Sequence, residues 1–168
     1  MNPVPIMCDC LSWSSTIGIF ITNFGMLDLH IQDFLELLLP PAEFLKVKER
    51  PFYDRVKLIK QRLGEADCNM MNKAEFGQFL QRLDPLRETR NHIAHGILRI
   101  GLAPDHKSYI QTLSIPRDLD DSNPREARHL EFAELQSELK TLNELIEEFQ
   151  RLAGFKTAAC ATCAEDLK

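Results

Sequence analysis

An arginine, an amide and two imidazoles fall within seven residues in the run Arg90-Asn91-His92-Ile93-Ala94-His95-Gly96. Side chains of these types can act on a phosphodiester. An imidazole exchanges protons near neutral pH, a guanidinium presents a fixed planar fork to phosphate oxygens, and an amide orients either partner. The same residues also make an ordinary helix end, in which Arg90 and His95 complement the negative end of the dipole and Asn91 bonds a neighbour. The position of Arg90 separates these readings, because a dipole contact has no need of an apolar-face site.

The element that carries the run is an apolar helix. Phe76, Phe79, Leu80, Leu83 and Leu86 recur at three- and four-residue steps and trace one helix face. Arg90 lies four residues past Leu86 on that stripe, so its guanidinium faces a core or a partner chain and needs a hydrogen-bonding or anionic companion there. Asn91 and His95 are one turn apart on the adjoining face, and Gly96 is a helix-stop residue just behind them.

Arg90, the polar Asn91 and His95 fit the R-polar-x-x-x-H motif of the HEPN superfamily. The chain resembles that superfamily further in Gly96 behind the histidine, in Phe24-Gly25-Met26-Leu27-Asp28 on a first long helix, and in a closing amphipathic helix from about Glu131 to Leu152. The resemblance implies an all-α, HEPN-like helical bundle and a metal-independent endoribonuclease that requires no cofactor. RNA supplies its own nucleophile in the 2′-hydroxyl. Such an enzyme helps to remove that proton, stabilises charge on the phosphorane and assists the departing 5′-oxygen, leaving a 2′,3′-cyclic phosphate and a 5′-hydroxyl. His95 is then the acid or base, Arg90 the phosphate clamp and Asn91 the orienting group, with Arg87 and Arg99 as substrate-binding cations. One chain supplies one such histidine, so the resemblance also implies a two-fold homodimer that brings two copies of the motif to one cleft. A toxin-type member would act on RNA and be neutralised by an antitoxin protein. HEPN-like bundles also occur as inactive dimerisation modules or ligand- and protein-binding modules; a nuclease should gather Arg87, Arg90 and a further cation, Arg82 or Arg99, around His95, whereas a binding module need not.

At 168 residues and 44% apolar content, the chain can build a single core without metals or disulfides. Domain organisation is expected as an N-terminal tail over residues 1–13, a helical domain over 14–153 and a C-terminal tail over 154–168. The net charge of −5 argues against a general nucleic-acid coat. Between Gln81 and Arg99, however, Arg82, Arg87, Arg90 and Arg99 stand against Asp84 and Glu88, which allows a basic cleft on an acidic body. Five cysteines, Cys8, Cys10, Cys68, Cys160 and Cys163, follow no basic leader and predict reduced thiols in a cytoplasmic protein. Cys160 and Cys163 have metal-type spacing and would need Cys8 and Cys10 beside them to complete four ligands; free thiols in loose ends are the simpler expectation, and no metal site is assigned. Of the other histidines, His92 lies off the motif pattern, His30 and His129 have no partner spacing, and His106 falls in the expected hairpin turn, so none is assigned a role.

Leu11 to Leu39 is apolar, yet Asn23, Asp28, His30, Gln32, Asp33 and Glu36 interrupt it short of the ~20 residues that span a bilayer, so no membrane partner is expected. Ile17, Phe20, Ile21, Phe24, Leu27 and Ile31 instead trace a broad core face on a helix from about Ser14 to Leu39, stopped by Pro40-Pro41. Gly18 and Gly25 lie two turns apart on it and predict the close approach of another helix, since each costs ~1 kcal/mol against alanine. A second helix fits Pro51 to Leu63, and a third begins near Ala74, where Asp84-Pro85 either starts a fresh helix or kinks one. Ile97–Leu102 and Ser108–Ile115 read as a β-hairpin, and Pro116 to Arg128 as an exposed loop. The expected fold is therefore all-α, four to five helices with a small β-hairpin insertion between the third and fourth long helices.

Overall fold

A computed structural model of the chain describes residues 6–64, 73–95, 97–102, 108–113 and 127–154. Its elements run α1 (Ile6–Leu38), α2 (Pro41–Val47), α3 (Phe52–Gly64), α4 (Lys73–His95), β1 (Ile97–Leu102), β2 (Ser108–Leu113), β3 (Ala127–Glu131) and α5 (Phe132–Ala153). The helices have 33, 7, 13, 23 and 22 residues against strands of six, six and five, so the all-α bundle with a hairpin between its third and fourth long helices is the fold observed.

Aromatic packing fixes the directions of the helices. Phe34 of α1 stacks on Phe76 of α4 at 4.8 Å, and Phe149 of α5 meets Phe34, Phe76 and Phe79 at 5.7, 5.6 and 5.4 Å. Trp13 near the start of α1 meets Phe132 at the start of α5 edge-on at 4.9 Å, while Asn23 donates to Asn143 at 2.7 Å, so α1 and α5 run parallel. α4 runs antiparallel to both, its first turn at Phe34 and Phe149 and its last near Phe24. A fully buried aromatic of this kind is worth about 3–5 kcal/mol against alanine, and this cluster is what holds α4 in place.

Several boundaries depart from expectation. α1 starts at Ile6 and not at Ser14, so the segment expected as a tail is helical from residue 6. No proline or glycine falls between Ile6 and Trp13, and burial of Trp13 to 1% exposure anchors these turns. Pro40-Pro41 ends α1 as expected, and Pro41 then opens the unanticipated α2 from its first turn, where a missing N–H costs nothing. α4 passes through Pro85 as one helix. A Cβ built on Gly18 or Gly25 meets nothing within 4 Å, so no helix of the described chain makes the approach they predict.

β1 pairs antiparallel with β2, Ile100 opposite Ile110, and β2 pairs with β3, Ile110 opposite Leu130. The third strand was hidden by its composition: in Ala127-Arg128-His129-Leu130-Glu131 only Leu130 is a strand-type aliphatic residue. Ile110 and Leu130 are buried and seat the sheet against α4 and α5. β3 runs into α5 without a loop, through a capping box in which the Glu131 N–H donates to the Glu134 carboxylate at 2.9 Å. Ala127 and Arg128, expected in the loop, belong to β3 through their pairing with β2, while residues 114–115 of the expected hairpin and 116–126 of the expected loop lie outside the described residues.

Candidate functional site

The last turn of α4 brings the three motif side chains together. Arg90 Nη1 stands 3.2 Å from Asn91 Oδ1 and 3.2 Å from His95 Nε2. A guanidinium carries donors only, so Arg90 is the donor in both contacts, to the Asn91 amide oxygen and to His95 Nε2. Behind the guanidinium lies the ring of Phe24 on α1, 6.0 Å from Arg90 Cζ to its centroid, within the range of a cation–π contact. The companion expected on the apolar stripe is thus an aromatic face together with two neutral acceptors from its own helix. Among the described residues no carboxylate lies within ion-pair distance of Arg90.

Arg90 and Asn91 are half-buried, and His95 is exposed at the helix end. The group therefore has an ordered base and an open top. The base is built on α1 and α3: Phe24 contacts Phe52 at 5.0 Å, and one turn further along α1 the carboxylate of Asp28 and the amide of Gln32 accept from Arg55, at 2.5 and 3.1 Å. Arg55 is only 6% exposed, a buried cation locking α3 onto α1 one to two turns along from Phe24. Sequence reading missed it. A usable sign existed, since Arg55 shares the inward face of Phe52, Val56, Ile59 and Leu63.

Arg87 lies one turn before Asn91 on the same face of α4. Its guanidinium stands over the Tyr53 ring at 5.1 Å, its Nε is 3.8 Å from Asp84 Oδ1, and that Nε is buried with no hydrogen-bond acceptor. Tyr53 was not singled out in the sequence, yet it is 48% exposed beside this cation. Arg82 does not join the group; it pairs with Glu148 of α5 at 2.6 Å. Arg99 occupies a β1 position opposite Gln111, and nothing further is described for its side chain.

The remaining candidates separate from this site. His30 packs parallel to Phe149 at 6.2 Å and lies 3.1 Å from Gln150 Nε2, which gives it a place between α1 and α5. His129 lies on β3 beside Tyr109 at 5.2 Å, and His92 is half-buried in the last turn of α4. His106, Cys68, Cys160 and Cys163 lie outside the described residues, and Cys8 and Cys10 belong to the first turns of α1. Among the described residues no cluster of His, Cys, Asp and Glu could hold a metal ion, and no helix is long and apolar enough to cross a membrane.

Compared with known proteins, the chain matches no family model, no curated protein and no solved structure.

Proposed function

We propose that this chain is a HEPN-type, metal-independent endoribonuclease with Arg90, Asn91 and His95 as its reacting group. One observation carries the reading: a guanidinium with no carboxylate partner among the described residues touches both an amide and an open imidazole at the exposed end of one helix. An anion placed there would meet a cation whose solvation is already partly removed by Phe24. A phosphodiester over Arg90 would have its 2′-hydroxyl or its leaving 5′-oxygen beside His95, which takes or gives the proton while Arg90 stabilises the phosphorane. Asn91 holds Arg90 and can turn its amide donor to a phosphate oxygen, and Arg87 adds a cation along the same face, with Arg99 as a further contact from β1. A second copy facing the α4 end across a two-fold axis supplies the other acid–base group. In this reading the protein is cytoplasmic, and a toxin-type role adds an antitoxin as a protein partner.

The pairing of Arg82 with Glu148 favours a second reading, an inactive binding module, because it removes one of the cations a nuclease cleft would gather. The two separate by direct assay. Purified protein incubated with single-stranded RNA and a chelator should give fragments ending in 2′,3′-cyclic phosphate and beginning in 5′-hydroxyl. Intact RNA across diverse substrates would leave the binding module as the better account.

A further inference from the structure

α1 buries only one of its faces. Trp13, Phe20, Phe24, Leu27 and Ile31 enter the core, while Leu11 is 72% exposed, Ile19 48%, Met26 43%, Leu29 55% and Leu37 71%. At ~100° per residue these five fall within an arc of about 80°, so they form one stripe opposite the core face. An aligned set of this kind marks a contact surface, whereas scattered exposed leucines would not.

Two of the five, Leu11 and Leu29, bound a run with coiled-coil spacing, and Ile19 and Met26 flank it on one side. Leu11, Ser15, Gly18, Thr22, Gly25 and Leu29 alternate steps of four and three residues, all are exposed, and the space over both glycines is open. Two features select the occupant. The seam reads alike from either end: reversed about position 20, Leu11 meets Leu29, Ser15 meets Gly25 and Gly18 meets Thr22, large on large and small on small, as an isologous two-fold contact requires. The charges agree. α1 carries no lysine or arginine, and Asp33 and Glu36 lie beyond the seam toward its C-terminal end. Antiparallel pairing brings these carboxylates to the start of the other copy's α1, where the helix dipole favours them; parallel pairing would set them against their own counterparts. A helix without cations is equally ill suited to an anionic membrane surface or a phosphate backbone.

We propose that α1 pairs antiparallel with α1 of a second copy through this seam. The seam lies across α1 from Phe24, so the pairing leaves Arg90, Asn91 and His95 open, and it stands whether or not the ribonuclease reading does. It is a different face from any meeting of two α4 ends.

Sedimentation equilibrium of the full chain at tens of micromolar tests it. Gly18→Arg with Gly25→Arg places four cations in the seam at positions where added side chains meet no neighbour, and it should halve the measured mass with the helical circular dichroism unchanged. His95→Ala should keep the wild-type mass. Should the arginine variant lose helical content, Leu11→Gln with Leu29→Gln takes its place, with the same halving expected. A monomeric wild type, or seam variants that keep the wild-type mass, would overturn the proposal.

Discussion

Asp28→Ala removes the carboxylate that meets Arg55 and so strips a buried cation of its charged partner. The cost follows from burial. Breaking a fully buried pair costs about 3–5 kcal/mol, and an exposed pair contributes about 0–1. The Arg55 side chain is 7% exposed and that of Asp28 34%, and Gln32 remains as a neutral acceptor at 3.1 Å, so an intermediate loss of about 2–3 kcal/mol is expected. For a chain of this size that lowers the melting temperature by about 5–10 °C. Urea titration followed by circular dichroism gives the free energy, provided the slope with denaturant is unchanged. Arg55→Met in the Asp28→Ala background supplies the control: with no charge left to bury, most of the loss should be recovered. An Asp28→Ala variant within about 0.5 kcal/mol of wild type, a surface-substitution effect, would refute the buried-cation argument, as would a double variant in which the two losses simply add.

Three further outcomes are expected. Gly154 ends α5 at φ 70 with open space around it, so Gly154→Ala should cost about 1 kcal/mol through backbone strain alone, read as a lower urea midpoint. Pro85 sits exposed inside α4 with no N–H to give to Gln81, so Pro85→Ala should raise the melting temperature; no change would mean that the helix has already relaxed around the ring. Arg87→Ala should weaken RNA binding and lower the slope of affinity against salt by about one contact, whereas an unchanged slope would remove Arg87 from the substrate path.

The helical frame was legible because its signals are local and periodic. The stripe of Phe76, Phe79, Leu80, Leu83 and Leu86 on α4 is buried throughout, and that of Leu135, Leu139, Leu142, Ile146, Phe149 and Leu152 on α5 is buried except for the half-buried Leu139. Features decided by non-local partners were not legible. Trp13 holds the extra turns of α1 through Phe132, which is 119 positions away in the chain, and β3 exists by pairing with β2 and not by its own composition. At the candidate site, spacing showed that Asn91 and His95 share a face and that Arg90 points inward. It did not show that Phe24 would back the guanidinium, that Arg55 would tie α3 to α1 through Asp28 and Gln32, or that Arg82 would turn to Glu148. Those depend on which helices become neighbours. Gly18 and Gly25 were read as a helix-approach site and have no such neighbour among the described residues.

The most direct measurement of the central claim is the rate of single-stranded RNA cleavage, in the presence of a chelator, by the wild type and by His95→Ala, Arg90→Ala, Asn91→Ala and His92→Ala proteins of equal helical content. Loss of His95 removes proton transfer and should cost ~10²–10⁴ in rate; loss of Arg90 removes charge stabilisation and should cost about as much. Asn91→Ala should cost less, and His92→Ala little. The account predicts that order, with cyclic-phosphate ends. A His95→Ala protein that cleaves as fast as the wild type would contradict it.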